Sequence, residues 1–374
     1  MLIYQKELRF AVTMMHRSRN TMLFAGLLCS LVLGAEPLAS GQGFPSAAPQ
    51  RPDGQRTPVD PGIAGYDPVP PLTGDLYIGG GFAHTLLEQW AAIFERAHPN
   101  VRVHVAGWGS TSAFGELVEG VAKVTLLTRE FMPFERDFLR EHMGMDQIGI
   151  PVATGGYSSV LPECIPSEVI LVNKDNPVKG ITVPQLDAIF SKTRKAGYKE
   201  DITRWGQLGV TGEWADKPIH VYLPKMPDGV PNFLQINIMK DGEFKDTNMS
   251  LYDHPGATAV DRNALVLGNR GPGSSPDRGH GPENRDPNAR IVPLAYTDAG
   301  PFTAGSFDDV RTRAYPLSRF IYLYLRVTPK SPPDPLAKEF VRVALSQEGQ
   351  REVARTCMMP LPEKYVQSSL EKVR

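Results

Sequence analysis

Between Leu76 and Arg129 a β-pattern twice runs into a glycine loop and then into a helical pattern, and this stretch constrains the fold more than any other. The first unit is Leu76-Tyr77-Ile78, then Gly79-Gly80-Gly81-Phe82, then an amphipathic run from Thr85 to Ala97. Leu86, Leu87, Trp90, Ile93 and Phe94 fall on one stripe of a helix. Thr85 with Glu88 three residues on has the capping-box form of a helix start. The second unit alternates through Val101-Arg102-Val103-His104-Val105 as a strand does. It breaks at Gly107-Trp108-Gly109-Ser110-Thr111-Ser112 and resumes a helical pattern through Phe114, Leu117 and Val121. A third apolar run, Val124 to Leu127, ends at Thr128-Arg129. Glycine loops that lead into helix N-termini present unpaired N–H groups and a positive dipole end, which suit an anion. Two such ends and an arginine on neighbouring strand tips would form an oxyanion cradle.

The plainer reading is a pair of ordinary turns, which α/β proteins use throughout without binding anything. The named phosphate motifs do not decide the matter. Gly-x-x-x-x-Gly-Lys-Ser/Thr is absent, and Gly107-x-Gly109 lacks the third glycine of a dinucleotide fingerprint. A nucleotide-binding enzyme is disfavoured.

The 374 residues are enough for two domains or one large bilobal one. A formal net charge of -1 argues against a nucleic-acid partner, because no basic excess is present to neutralise phosphates. No Cys/His cluster has metal-ligand spacing, and neither a metal nor a cofactor is expected. At the N-terminus, Arg17 and Arg19 precede an apolar run from Met22 to Ala35, with small residues at Gly34-Ala35 and Ala39-Ser40. Residues 1–40 read as an export signal, the run being short for a membrane span. The mature protein is therefore expected in the periplasm or secreted. Residues 41–74 read as a flexible Pro/Gly-rich linker. Cys164 and Cys357 either pair in an oxidising compartment or stay as two buried thiols.

Further along, strands are expected at Ile148–Val152, Glu168–Val172, Ile219–Leu223 and Tyr315–Val327, and apolar sequence continues through Val260–Leu267. Helices are expected at Pro133–Gly144, at Thr182–Ser191, through Phe233, Ile236 and Met239, and from Pro335 to Ala354. Gly268 to Arg290 is rich in Gly, Pro and Asp and reads as an exposed loop. Strands alternating with helices indicate an α/β architecture with largely parallel sheets.

The C-terminal third carries a family signature. Tyr315-Pro316-Leu317-Ser318-Arg319 leads into Tyr322-Leu323-Tyr324-Leu325, then Glu339-Phe340-Val341-Arg342, Ser346-Gln347-Glu348-Gly349-Gln350 and Met359-Pro360-Leu361-Pro362. Upstream, in the same order, stand 175–182 (DNPVKGIT), 185–191 (QLDAIFS) and 202–209 (ITRWGQLG). From about Leu76 to Pro362 the chain resembles the phosphate-binding proteins of ABC transporters, in the type II periplasmic substrate-binding-protein superfamily. The resemblance implies two α/β lobes, each a mixed, mostly parallel sheet flanked by helices, with an anion in the cleft between them. Lobe one would hold 75–172 plus 289–374, and lobe two 173–288.

The same resemblance implies the ligand contacts. Backbone N–H groups of the first glycine loop would be those of Gly81-Phe82. A hydroxyl at the start of the second helix would be Ser110, with Thr111 beside it. Arg129 stands where the family has an aspartate or an arginine, and can meet an oxyanion through two parallel bonds. The family's lobe-two loop carries an arginine and a Ser-Gly-Thr-type segment. Here Pro224-Lys225-Met226-Pro227-Asp228-Gly229-Val230 stands instead, leaving Lys225 as the basic candidate. Asp228 would either accept a proton from the ligand or be simply solvated.

The implied function is capture of phosphate or a related oxyanion by an extracytoplasmic carrier, expected as a monomer, that serves an ABC permease in the inner membrane. A second reading keeps the fold as a degenerate sensor or interaction module with no transport role. A hydrolase is disfavoured, since Ser110 and Ser112 have no evident His/Asp partner and Gly-x-Ser-x-Gly is absent. No catalytic residue is expected.

Overall fold

Two separate five-stranded sheets organise the computed structural model, which describes residues 57–80, 83–106, 109–145, 148–156, 166–224, 228–254, 256–269 and 288–374. The strands are β1 (Thr73–Gly79), β2 (Asn100–Ala106), β3 (Val124–Leu127), β4 (Ile148–Thr154), β5 (Glu168–Asn173), β6 (Ile181–Thr182), β7 (His220–Leu223), β8 (Met249–Ser250), β9 (Ala264–Asn269), β10 (Ala289–Ile291), β11 (Leu294–Ala295) and β12 (Phe320–Leu325). The α-helices are α1 (His84–Ala97), α2 (Gly109–Glu119), α3 (Pro133–Met143), α4 (Val183–Phe190), α5 (Gly229–Phe233), α6 (Ala257–Val260), α7 (Phe307–Thr312), α8 (Pro335–Leu345), α9 (Gln347–Val353) and α10 (Glu363–Glu371).

The first sheet has the order β2-β1-β3-β12-β4 and the second β10-β5-β9-β7-β8, while β11 and β6 form a small parallel pair. Both sheets are mixed. β1 runs parallel to β2 and β3, but β12 lies antiparallel between β3 and β4. In the second sheet β7 runs parallel to β8 and β9, and β5 is antiparallel to β9 and β10. The central strands of each sheet bury side chains on both faces, successive residues alternating sides. Ile170 and Val172 enter one core with Leu265 and Leu267, and Val169 and Leu171 enter another with Val266. In the first sheet Leu126 and Leu323 face Trp90, Phe94 and Phe340, whereas Leu127 and Tyr324 face Phe114 and Phe131.

Local sequence accounts for most helix ends. Thr182 caps α4 and Gln185 answers it, and Asp334 caps α8 ahead of Pro335. α3 stops on Gly144, which is left-handed at φ 56°. α1 begins at His84, so Thr85 lies inside it and the expected Thr85–Glu88 box does not form. Val121, expected on the α2 stripe, falls beyond the helix and is exposed. After Phe233 the helix continues as a π turn over Leu234–Ile238. Widening the repeat there buries Ile238 in place of the expected Ile236. The long helix expected from Pro335 to Ala354 breaks at Ser346, which ends α8 and caps α9 through Oγ at 3.1 Å from Gly349 N.

Two expectations need larger corrections. Residues 57–74 are no loose tether. Ile63 is buried in the first core, Tyr66 Oη donates to Glu339 Oε1 at 2.7 Å, and Gln347 N donates to Ala64 O at 2.8 Å. The segment is polar and Pro/Gly-rich, yet its few apolar side chains find a core supplied by distant helices. The expected lobe boundaries also shift: β5 and β10, assigned from sequence to the first lobe, are strands of the second sheet.

The two sheets are joined by paired chain passages. After Thr154 the chain leaves β4, with Gly155 N donating to Arg319 O at 2.9 Å and Ser167 N to Gly156 O at 3.0 Å, and enters β5 at Glu168. The return passage runs from Tyr315, buried in the second core, through Leu317, Ser318 and Arg319 to β12. Glu168 N bonds Leu317 O at 3.3 Å, so the passages lie side by side. The expected export signal in 1–40 and Cys164 lie outside the described residues. Cys357 is buried and disulfide-bonded.

Candidate ligand-binding site

The tip of β3, the start of α5 and the crossing ribbon converge. Thr128 and Arg129 follow the last residue of β3, beyond Thr125, where the parallel pairing with β1 ends. Arg129 is buried, and its Nη1 and Nη2 meet Glu135 Oε2 and Oε1 at 2.6 and 2.8 Å, with Nη1 also donating to Glu130 O at 3.0 Å. These described partners take three of the five donors of the guanidinium. Glu135 sits in the first turn of α3 and accepts Met132 N at 2.8 Å, so the helix terminus favours its charge as the arginine does.

From the second sheet, Asp228 caps α5, its Oδ1 accepting Val230 N at 2.8 Å. It is half-buried and has a structural duty, so it is not a drifting solvated side chain. A Cβ on the next residue, Gly229, would stand 3.6 Å from Arg319 Nη2 and 3.8 Å from Arg129 Cβ and Cδ. The start of α5 therefore rests against both arginines. Asn232 Nδ2 donates to Glu130 O at 3.0 Å, Asn237 Nδ2 to Glu130 Oε1 at 2.9 Å, and Arg136 Nη1 to Asp241 Oδ2 at 3.1 Å. These bonds zip the α5 side of the second sheet to the β3–α3 side of the first.

The ribbon supplies Arg319 and Glu168, both buried. Arg319 Nη1 donates to Glu168 Oε1 at 2.7 Å and its Nη2 to Thr128 O at 2.7 Å. Burial pushes the Glu168 carboxyl up to about 8; Arg319 opposes the rise, and the charges of Asp228 and Glu130 add to it. The 2.7 Å contact with Arg319 alone would favour the carboxylate, but complete burial and two further carboxylates outweigh it. Tyr322 Oη donates to Glu130 Oε1 at 3.1 Å, and burial, then that carboxylate, holds the phenol protonated well above its usual range. Several buried polar atoms here find no partner among the described residues: Glu168 Oε2, Arg319 Nε, Asn232 Oδ1, Ser167 Oγ and Ser318 Oγ. Interiors rarely tolerate so many orphans together without a purpose.

On the first-sheet side Ser110 opens α2 and is half-buried, with Thr111 next in the same turn; the Thr111 side chain is outside what is described. β1 ends at Gly79, where a Cβ would lie 2.6 Å from Glu116 Oε2 and 2.6 Å from Thr125 Cγ2, so only glycine fits. Gly81, Phe82 and Lys225 lie outside the described residues. Of the expected contacts the structure thus brings Arg129 and Asp228 to one seam. It adds Arg319, Glu168, Glu130 and Glu135, which sequence reasoning missed. Two signals were available: a lone glutamate opening the apolar run Glu168–Val172, and an arginine inside the apolar stretch Tyr315–Val327. Among the described residues no group of His, Cys, Asp and Glu could hold a metal ion.

Residues 77–348 match the model of the PBP superfamily domain. The chain belongs to the PBP superfamily. It is 30% identical over 316 residues to the phosphate-binding protein PstS of Pseudomonas aeruginosa, covering 84% of this chain and 92% of that protein. It is 25% identical over 309 residues to Protein SphX of Synechococcus elongatus, covering 79% of this chain and 80% of the relative. Among solved structures, an ABC-type phosphate transport receptor from Vibrio cholerae matches 75% of this chain and 97% of its own at 19% identity and a TM-score of 0.45, too loose a likeness to add to the assignment. For this superfamily member, the two mixed sheets flanked by helices are the expected frame, and the seam between them is where its polar side chains gather.

Proposed function

We propose that this protein is an extracytoplasmic, monomeric binding protein that captures phosphate or a similar tetrahedral oxyanion at the seam between its sheets. It would deliver that cargo to an ABC permease of the inner membrane, with no catalytic residue and no bond chemistry. The carrying observation is the 30% identity to a phosphate-binding protein over 84% of the chain. The seam supports it chemically: Arg129 and Arg319 are buried side by side against Gly229, and desolvated guanidiniums bind oxyanions far better than exposed ones. Ser110 and Thr111 at the start of α2, the glycine loop at Gly81-Phe82, Lys225 and Asp228 complete the proposed contact set. Selectivity would follow from fixed donors in a dry site.

One observation favours the rival reading, a sensor or interaction module with a degenerate pocket. Glu135 occupies both terminal nitrogens of Arg129, and among the described residues Glu130, Glu168 and Asp228 outnumber the two arginines. Titration calorimetry of the full chain with phosphate, sulfate, molybdate and tungstate separates the two. The carrier reading expects micromolar or tighter phosphate binding, lost in Ser110→Asp. That substitution puts a charge where the ligand would sit, yet favours the helix start and so spares the fold. Absence of heat with all four anions refutes the carrier.

A further inference from the structure

Among the described residues of the seam, carboxyls outnumber guanidiniums, an excess of negative charge for an anion site if every carboxyl is ionised. Two guanidiniums, Arg129 and Arg319, face Glu130, Glu135, Glu168 and Asp228. Glu135 is matched by Arg129 and by Met132 N, and Glu130 by Asn237 and Tyr322. Asp228 is matched by Val230 N. Glu168 differs. One oxygen meets Arg319, and the other is buried with no described partner, which is where a carboxylic acid carries its hydrogen.

The position of this pair gives it a role. Arg319 belongs to the passage into β12, grips Glu168 at the start of β5 in the second sheet, and with its other terminal nitrogen holds Thr128 O at the tip of β3 in the first. Thr128 immediately precedes Arg129. The Arg319 charge is thus held between Glu168 and the strand tip that presents Arg129. The Arg319 Nε hydrogen is buried and has no described partner.

We propose that Glu168 and Arg319 are positioning residues that couple oxyanion capture to a proton: the anion is held when Glu168 is the neutral acid, and ionisation of Glu168 cancels the Arg319 charge and weakens the site. The inference rests on the carrier reading above and adds a proton to it. The charged groups facing Glu168 from the packed elements divide two against one. Asp228 at the start of α5 and Glu130 on the β3–α3 connection both resist its ionisation, and Arg319 on the ribbon is the opposing charge. An added anion resists it further, so by reciprocity the proton strengthens anion binding. Because burial has pushed this carboxyl up to about 8, the effect falls at and above neutral pH, where an ordinary glutamate would be silent.

The test is calorimetry of the full chain with inorganic phosphate from pH 6.5 to 9, in two buffers of different ionisation enthalpy, on wild type, Glu168→Gln and Arg319→Lys. The ionisation of phosphate itself is common to all three and cancels in the comparison. Between pH 8 and 9 wild type is expected to lose about fivefold in affinity relative to Glu168→Gln, and by pH 9 to take up close to one more proton per phosphate. Arg319→Lys keeps the charge but loses the fork to Thr128 O, and is expected to bind more weakly while retaining the pH slope. Identical pH profiles for wild type and Glu168→Gln, with phosphate bound by both, overturn the proton coupling and leave the carrier intact. No phosphate heat at any pH overturns both. Infrared spectra at pH 7 provide a check that needs neither ligand nor the Glu168→Gln variant. Glu116→Gln removes the other described carboxyl that burial pushes up; a protonated-carboxyl band persisting in that background supports the assignment, and its absence overturns it.

Discussion

The pair Arg129–Glu135 makes the sharpest energetic prediction. Both side chains are buried, at 6% and 4% exposure, and two bonds of 2.6 and 2.8 Å join them. Arg129→Met keeps the volume and apolar stem but strands the Glu135 carboxylate, and breaking a buried pair from one side costs about 3–5 kcal/mol. Glu135 retains Met132 N at 2.8 Å and the terminus of α3, which places the expected loss at the lower end, about 3 kcal/mol. With a urea dependence of ~3 kcal/mol/M, the unfolding midpoint falls by about 1 M. Adding Glu135→Gln removes the stranded charge while leaving an acceptor for Met132 N. The double variant is then expected to recover to within about 1 kcal/mol of wild type, ~2 kcal/mol better than Arg129→Met alone. Urea unfolding followed by circular dichroism on the four proteins closes the cycle. If Arg129→Met costs less than ~1 kcal/mol, or the double variant is no better than the single, the interior ion pair is not the main role of Arg129. Phosphate binding by the double variant then separates ligand contact from folding.

Three further outcomes follow from single sites. Tyr66→Phe deletes the hydroxyl that bridges His98 Nε2 at 3.0 Å and Glu339 Oε1 at 2.7 Å, and thermal unfolding should show a loss of about 1–3 kcal/mol; an unchanged midpoint would mean that the 57–72 segment is held by its apolar side chains alone. Gly349→Ala should be poorly folded by circular dichroism, since the new Cβ would lie 2.0 Å from Val343 O and 2.8 Å from Ala344 O at the corner between α8 and α9, both backbone atoms that cannot swing aside. For Glu168, whose folded carboxyl is pushed up to about 8 against 4.5 for an unperturbed one, the folded state holds the proton longer than the unfolded state does. Its contribution is full below about 4.5 and is lost as pH rises through about 8, so wild type should weaken relative to Glu168→Gln by up to ~1.4 kcal/mol per pH unit across that window. Parallel urea titrations at pH 5, 7 and 9 read this directly, and a flat difference contradicts it.

The architecture was legible in the sequence because it rests on local periodicity. The α1 stripe of Leu86, Leu87, Trp90 and Phe94 is buried as the 3.6-residue repeat requires, and the strands from Ile148 and from Glu168 begin where their apolar runs begin. Reading failed where a local rule was overruled by a distant partner. The 57–74 segment looked unstructured because its composition cannot form a core alone; it borrows one from α8, α9 and His98. Ser346 split a helix whose apolar pattern runs unbroken, because its hydroxyl found Gly349 N and the close packing there demanded glycine.

The candidate site divides the same way. Arg129 and Asp228 could be picked out because each stands at a strand-to-helix turn, and such positions are visible in one dimension. That Arg129 is answered by Glu135, that Arg319 reaches across to Thr128 O, and that Glu168 lies among carboxylates on other elements were decided only by folding. Charge acts through space and burial, so the protonation of a carboxyl depends on which residues the tertiary structure brings near it and how much water it excludes. Residue order determined two mixed α/β layers and their strand tips; the packing of one layer against the other determined the electrostatics of what they can hold.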